Sequence, residues 1–142
     1  NVLLGVGDYI AFMNDYDNKI AKAGGIDIQL LGIGSDGHIA FNEPGTAFDS
    51  LTHIAELTDQ TISDNARFFA SKEDVPTKSV TMGLQSIMNA KKIVLIATGA
   101  NKAQAVKELL QGTPSTDWPC TVLQSHKDVV VFCDEEAYSL IK

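Results

Sequence analysis

Three residues in this chain could carry acid–base chemistry together. Asp36, His38 and Glu43 lie within eight residues of one another, in the stretch Ile33-Gly34-Ser35-Asp36-Gly37-His38-Ile39-Ala40-Phe41-Asn42-Glu43. A histidine with nearby carboxylates can be held in one tautomer and tuned to take or give a proton. Gly34 and Gly37 flank Asp36, so the backbone there can approach a ligand closely. Read singly, each residue is ordinary: an aspartate capping a tight turn, an exposed histidine, a surface glutamate. Read together, on a loop leaving an apolar strand, they point to function.

Two cations could serve an anion. Lys102 follows a second glycine turn, Thr98-Gly99-Ala100-Asn101-Lys102, and falls in the first turn of a predicted helix. Helix N-termini attract anions through free N–H groups, so lysine there is unfavourable unless it faces an anion or a carboxylate. Arg67 precedes Phe68-Phe69, and arginine suits bidentate phosphate contact. From these stretches alone both also read as ordinary surface cations. Trp118 before Pro119 reads as packing. His53 and His126 stand alone and are given no role, and Asp134-Glu135-Glu136 reads as charge at a helix start. No GxxxxGK[ST] occurs, which leaves nucleotide binding little support.

The elements that must position these residues alternate in type. Spacings of three and four among Ile10, Met13, Tyr16 and Ile20 predict a helix over 8–23, stopped by Gly24-Gly25. Continuous apolar runs at 26–33, 92–98 and 129–133 read as buried parallel strands. A helix is expected over 61–69, a strand at 79–82 with a short helix at 84–89, a helix over 102–110, a weak element at 122–125, and a last helix from Asp134. Residues 41–59 read as loop. This order predicts an α/β fold: an open, mostly parallel sheet with helices on both faces. Ligands bind beyond the carboxyl ends of such strands, where both glycine turns fall.

Composition bounds the rest. The 142 residues carry a net charge of −7, with 44% apolar residues. That length suits a single domain with its own core. Net acidity works against a nucleic-acid or anionic-membrane surface, but a small anion needs only a few local donors. No apolar run is long enough to cross a bilayer. Cys120 and Cys133 form no metal-ligand spacing and read as reduced thiols, with a cytoplasmic location expected. The start lacks a signal-peptide pattern and an initiator Met, which is expected of a processed product or a fragment.

The run Leu31 to Gly45, ending Asp36-Gly37-His38-Ile39-Ala40-Phe41-Asn42-Glu43-Pro44-Gly45, strongly resembles the glucosamine-6-phosphate deaminase (isomerase) family. Asn65-Ala66-Arg67-Phe68-Phe69, Val75-Pro76 with Thr81-Met82-Gly83, and Thr98-Gly99-Ala100-Asn101-Lys102-Ala103 agree in order, so the resemblance covers essentially the whole chain. It implies a Rossmann-like fold, truncated at the N-terminus, with residues 1–142 forming the C-terminal part of a larger domain. It implies conversion of glucosamine 6-phosphate to fructose 6-phosphate and ammonia, with no cofactor and no metal. Within that chemistry His38 would move the ring-opening proton, and Asp36 and Glu43 would orient it. Arg67 and Lys102 would hold the substrate phosphate, with Gly34, Gly37 and Gly99 shaping the substrate loops.

The resemblance also carries departures. The family's enolisation aspartate, and a Ser/Gly phosphate loop, would lie before Asn1, so this chain alone would open the ring at most. Strands lost with that portion would leave apolar edges that favour association, and a homo-oligomer stays open. Thr52-His53-Ile54-Ala55-Glu56 is poor in fixed positive charge, and activation by an acetylated amino-sugar phosphate is not expected. Two alternatives stand beside the deaminase. A 6-phosphogluconolactonase-like hydrolase shares the GxGxDGH core but usually continues differently after the histidine. A non-catalytic sugar-phosphate-binding effector domain would need Arg67 and Lys102 but not His38 or Glu43.

Overall fold

The computed structural model describes residues 9–141. The first helix, α1, spans Tyr9–Lys22; the expected start at Asp8 lies outside the described residues. Gly24 and Gly25 end it with φ of 96° and 86°, a conformation glycine adopts at little steric cost. Three strands then form a parallel sheet in the order β1 (Ile28–Leu31), β4 (Lys92–Ala97), β5 (Val129–Cys133). Leu31 pairs with Leu95 and Leu95 with Val131. These are the three apolar runs of the sequence: β5 matches its run to the residue, β4 ends one residue early, and β1 loses two residues at each end.

The remaining pair is antiparallel: β2 (His53–Glu56) against β3 (Lys78–Thr81). β3 was expected one residue later, and β2 falls inside the stretch read as loop. Between them run α2 (Asp59–Asn65) and 3-10 turns at Ala66–Phe68 and Lys72–Asp74, so the helix expected over 61–69 tightens before its end. α3 (Leu84–Met88) leads into β4. A 3-10 turn (Ala100–Lys102) and α4 (Ala103–Gln111) follow β4. A 3-10 segment (Pro119–Ser125) precedes β5, and α5 (Glu135–Tyr138) follows it.

One face of the parallel sheet makes the core. Leu31, Ile93, Leu95 and Ala97 cluster with Leu84 and Ile87 of α3, Ala105, Val106 and Leu109 of α4, and Cys120 and Leu123 of the 3-10 segment. Alternation along each strand sends the neighbouring side chains to the other face. There Ile28, Leu30, Ile96 and Phe132 are 63%, 62%, 48% and 58% exposed. The described residues thus supply the expected parallel α/β sheet and one covering layer, but not a layer over this second face. Both cysteines are free: Cys120 is buried and Cys133 partly so. Burial pushes the Cys120 thiol up to about 12, in keeping with a small core side chain rather than a reactive one.

Because β1 and β4 are parallel neighbours, the two glycine turns leave the same end of the sheet side by side. That is the arrangement expected from the strand pattern, and it places the loop carrying His38 next to the loop carrying Lys102.

Candidate active site

The first turn closes on itself. The Gly37 N–H donates to the Gly34 carbonyl at 3.0 Å, and the Gly34 N–H donates to the His38 carbonyl at 2.8 Å. The imidazole then lies directly over Gly34, where an added Cβ would fall 2.2 Å from Nδ1. Glycine is required there by contact. It is required at Gly37 both by φ of 81° and by Trp118, whose ring carbon would stand 2.7 Å from an added Cβ. Trp118 is therefore packing, as expected, but the packing it provides backs the site turn.

The loop after His38 is pinned from β3. Asn42 is fully buried, and its amide nitrogen donates to the carbonyls of Ile39 at 3.0 Å and Met82 at 2.8 Å. The Phe41 N–H donates to the Thr81 hydroxyl at 3.1 Å. Between them Ala40 holds φ of 53°, the one positive value on a non-glycine residue among the described residues. Such backbone persists where surrounding contacts impose it. The effect is to fold Glu43 back toward the turn it left.

Asp36, His38 and Glu43 therefore meet. His38 Nδ1 lies 2.7 Å from an Asp36 oxygen and 3.5 Å from Glu43 Oε2. The same Asp36 oxygen accepts the His38 backbone N–H at 3.1 Å. Glu43 is 8% exposed; the Thr61 hydroxyl donates to its Oε1, while Oε2 is buried and accepts no hydrogen bond. The two carboxyls respond differently. Burial alone would raise Asp36, but the hydrogen bond and charge of His38 overcome it and hold the group at about 2. Burial also raises Glu43, and there the Thr61 hydrogen bond and His38 charge do not offset it. An ionised Asp36 needs a donor, which assigns the proton to Nδ1 and leaves Nε2 as the lone-pair nitrogen. Among the described residues nothing hydrogen-bonds Nε2.

The three side chains offer one ligand atom each within 4.8 Å, a donor set that a divalent cation could take. An ion at Nδ1 would have to displace the bond to Asp36. A cavity of about 260 Å³ lies beyond the loop, lined by Gly32, Ala40, Thr52 and Met82 among others and by none of the three.

The predicted phosphate ligands come from other elements. Arg67 is exposed on the 3-10 turn after α2, its guanidinium 4.7 Å from the centre of the Phe68 ring. Lys102 caps α4 and is partly buried. Among the described residues neither forms an ion pair, and no hydrogen bond joins either to His38. Gly99 takes φ of 89°, and its N–H is held by both oxygens of the Asp134 carboxylate at 2.9 and 3.1 Å. Asp134, read only as helix-start charge, thus also fixes the Lys102 turn. Thr58 and Thr61, absent from the sequence reading, anchor Glu43; a T-x-x-T start to α2 is an ordinary capping pattern and carries no mark of that contact. His126 is structural: Nε2 meets the Ala90 carbonyl at 2.7 Å, and Nδ1 accepts the Asp128 N–H at 3.0 Å.

Residues 6–132 match the family described as glucosamine-6-phosphate isomerases/6-phosphogluconolactonase. The chain is 58% identical over 124 residues to a glucosamine-6-phosphate deaminase of Mycoplasma mycoides, covering 87% of this chain and 51% of that protein. It is 49% identical over 143 residues to one from Clostridium botulinum, covering 100% and 59%. The chain thus spans about half the length of the curated relatives it matches. Among solved structures, a monomeric glucosamine-6-phosphate deaminase superposes with a TM-score of 0.92 at 48% identity, covering 96% of this chain and 56% of that one. The 6-phosphogluconolactonase of Trypanosoma brucei shares the fold at a TM-score of 0.73 and 20% identity, covering 99% and 57%. A histidine whose Nδ1 meets two carboxylates at the carboxyl end of a parallel sheet, and a match spanning most of the chain, lead to one assignment: the chain belongs to the glucosamine-6-phosphate isomerase/6-phosphogluconolactonase family.

Proposed function

We propose that this chain carries the ring-opening half of a glucosamine-6-phosphate deaminase site, the reaction that yields fructose 6-phosphate and ammonia. The observation that carries the reading is the lock on Nδ1. With Nδ1–H committed to Asp36 and Glu43 close behind, Nε2, which takes no hydrogen bond among the described residues, is the general base. It takes the proton from the anomeric hydroxyl and returns it to the ring oxygen as the C1–O bond opens. The ionised Asp36 stabilises the imidazolium formed between those transfers, and Glu43 supplies a second charge or hydrogen bond at the same nitrogen.

Arg67 and Lys102 are the cations assigned to the sugar phosphate. Neither is neutralised by a carboxylate among the described residues, and Lys102 stands at the start of α4, where backbone N–H groups add to it. The base that moves the C2 proton is assigned to no residue of this chain. Both the continuation Ile39-Ala40-Phe41-Asn42-Glu43 and the level of identity to curated deaminases favour the amino sugar over a lactone.

The test is ammonia release from glucosamine 6-phosphate by the full-length protein as its gene encodes it, with lactone hydrolysis assayed beside it. His38→Gln should lower ammonia release by about two orders of magnitude or more, the usual contribution of a positioned acid–base group. Retention of the wild-type rate would remove His38 from the mechanism. Lactone hydrolysis without ammonia release would move the protein to the other branch of the family.

A further inference from the structure

The carboxylate of Glu43 is held from one side. Thr61, 2% exposed in the first turn of α2, donates its hydroxyl proton to Oε1. Thr58 stands behind it. Its hydroxyl oxygen accepts the Thr61 N–H at 3.2 Å as the helix cap, and lies 3.1 Å from the Thr61 hydroxyl and 3.4 Å from Oε1. The donors run in one direction, from Thr58 O–H to Thr61 O–H to Glu43 Oε1, and each bond polarises the next. Oε2, with no such donor, is left buried at 3.5 Å from His38 Nδ1.

We propose that Thr61 is a positioning residue for the proton-carrying site: its hydroxyl fixes the rotation of the Glu43 carboxylate so that Oε2 is the oxygen presented to His38. The inference rests on the reading of His38 and Glu43 as the proton-moving pair. A carboxylate turns about its last side-chain bond with little preference of its own. Burial removes the water that would otherwise solvate it, so the Thr61 hydroxyl sets its angle. Placing that hydroxyl in the capped first turn of α2 ties it to rigid backbone rather than to a free rotor. Asp36 and His38, both on the glycine turn, are the ionisable groups that act on Glu43.

Two substitutions separate this role from packing. Thr61→Val keeps the shape and removes the donor; Thr61→Ser keeps the donor and removes a methyl. Side-chain carboxyl ¹³C signals followed through pH report Glu43 directly, and imidazole ¹⁵N signals report His38. Thr61→Val should move the Glu43 midpoint upward by roughly half a pH unit or more and displace the His38 Nδ1 signal, because the bond to the ionised form is lost. Thr61→Ser should restore both. In the active full-length protein the valine should lower kcat about tenfold with KM little changed, as the assigned phosphate ligands are untouched. Identical Glu43 titration in wild type and valine variant would overturn the proposal. So would a serine variant as impaired as the valine, since the methyl would then be what matters. If the valine variant does not fold, the wild-type Thr61 hydroxyl proton decides. A resolved signal protected from water supports the bond, and rapid exchange overturns it. These magnetic-resonance readouts need no substrate, so they stand even if His38→Gln refutes the proposed activity.

Discussion

Asp36 and Glu43 face the same imidazole nitrogen, yet their protonation shifts oppose each other, and that opposition has a measurable consequence. Asp36 titrates at about 2 in the folded protein against an ordinary 3.8. A depressed carboxyl contributes stability that is complete above its unfolded value and is lost as pH falls through the folded one. Glu43, raised by burial, carries the reverse sign: its ionisation costs stability above its ordinary 4.5, and acid relieves that cost. Asp36→Asn should therefore destabilise most above pH 4, by at most roughly 2 kcal/mol. The deficit against wild type should shrink as pH falls from 4 to 2. Urea unfolding at half-unit pH steps checks this; a deficit constant across that range would mean that Asp36 is not ionised by its contact with His38. The glycine turn made these two residues legible, because Gly34 and Gly37 mark a backbone that must approach His38 and Trp118. Thr61 was not legible. Its contact with Glu43 spans 18 residues and depends on where α2 starts, which no local pattern states.

The elements divide by what encodes them. β1, β4 and β5 are continuous apolar runs, and burial alone makes such runs strands, so they were readable, β5 to the residue and β1 and β4 with overlong ends. β2 escaped because His53-Ile54-Ala55-Glu56 buries only Ala55 and owes its conformation to Ser79 and Val80 across the pair, 24 and 26 residues away in sequence. α5 shows a feature visible in sequence whose second duty was not. The Asp134 carboxylate accepts the Ala137 N–H at 2.8 Å as an ordinary cap, and its two oxygens also hold the Gly99 N–H across the mouth of the sheet. Asp134→Ala should cost about 1 kcal/mol as a lost cap. It should also free the Gly99–Lys102 turn, raising amide hydrogen exchange at Gly99 to Lys102 more than at the buried centre of β4. Exchange that rises only in α5 would show that Asp134 acts on its own helix alone.

For the molecule as a whole, the decisive feature is the asymmetry of the sheet. Leu95 and Ile93 are fully buried on one face, while Leu30, Ile96 and Phe132 are exposed on the other, on three adjacent strands, with Ile96 and Phe132 in register. Apolar patches of this kind drive association when nothing covers them, and among the described residues β1 is an edge strand of the same sheet. The two faces should answer mutation in opposite ways. Leu95→Ala removes packing from a closed core and should cost roughly 2 to 5 kcal/mol in unfolding free energy. Leu30→Lys with Phe132→Lys removes exposed apolar surface and should leave unfolding within about 0.5 kcal/mol. That pair should instead abolish the concentration-dependent self-association expected of the 142-residue chain and lower its binding of an apolar dye. Sedimentation of wild type and double variant across a hundredfold range of concentration distinguishes the cases. If both sediment as monomers at every concentration, the exposed face drives no association in this chain. If both associate equally, the contact lies elsewhere on the surface.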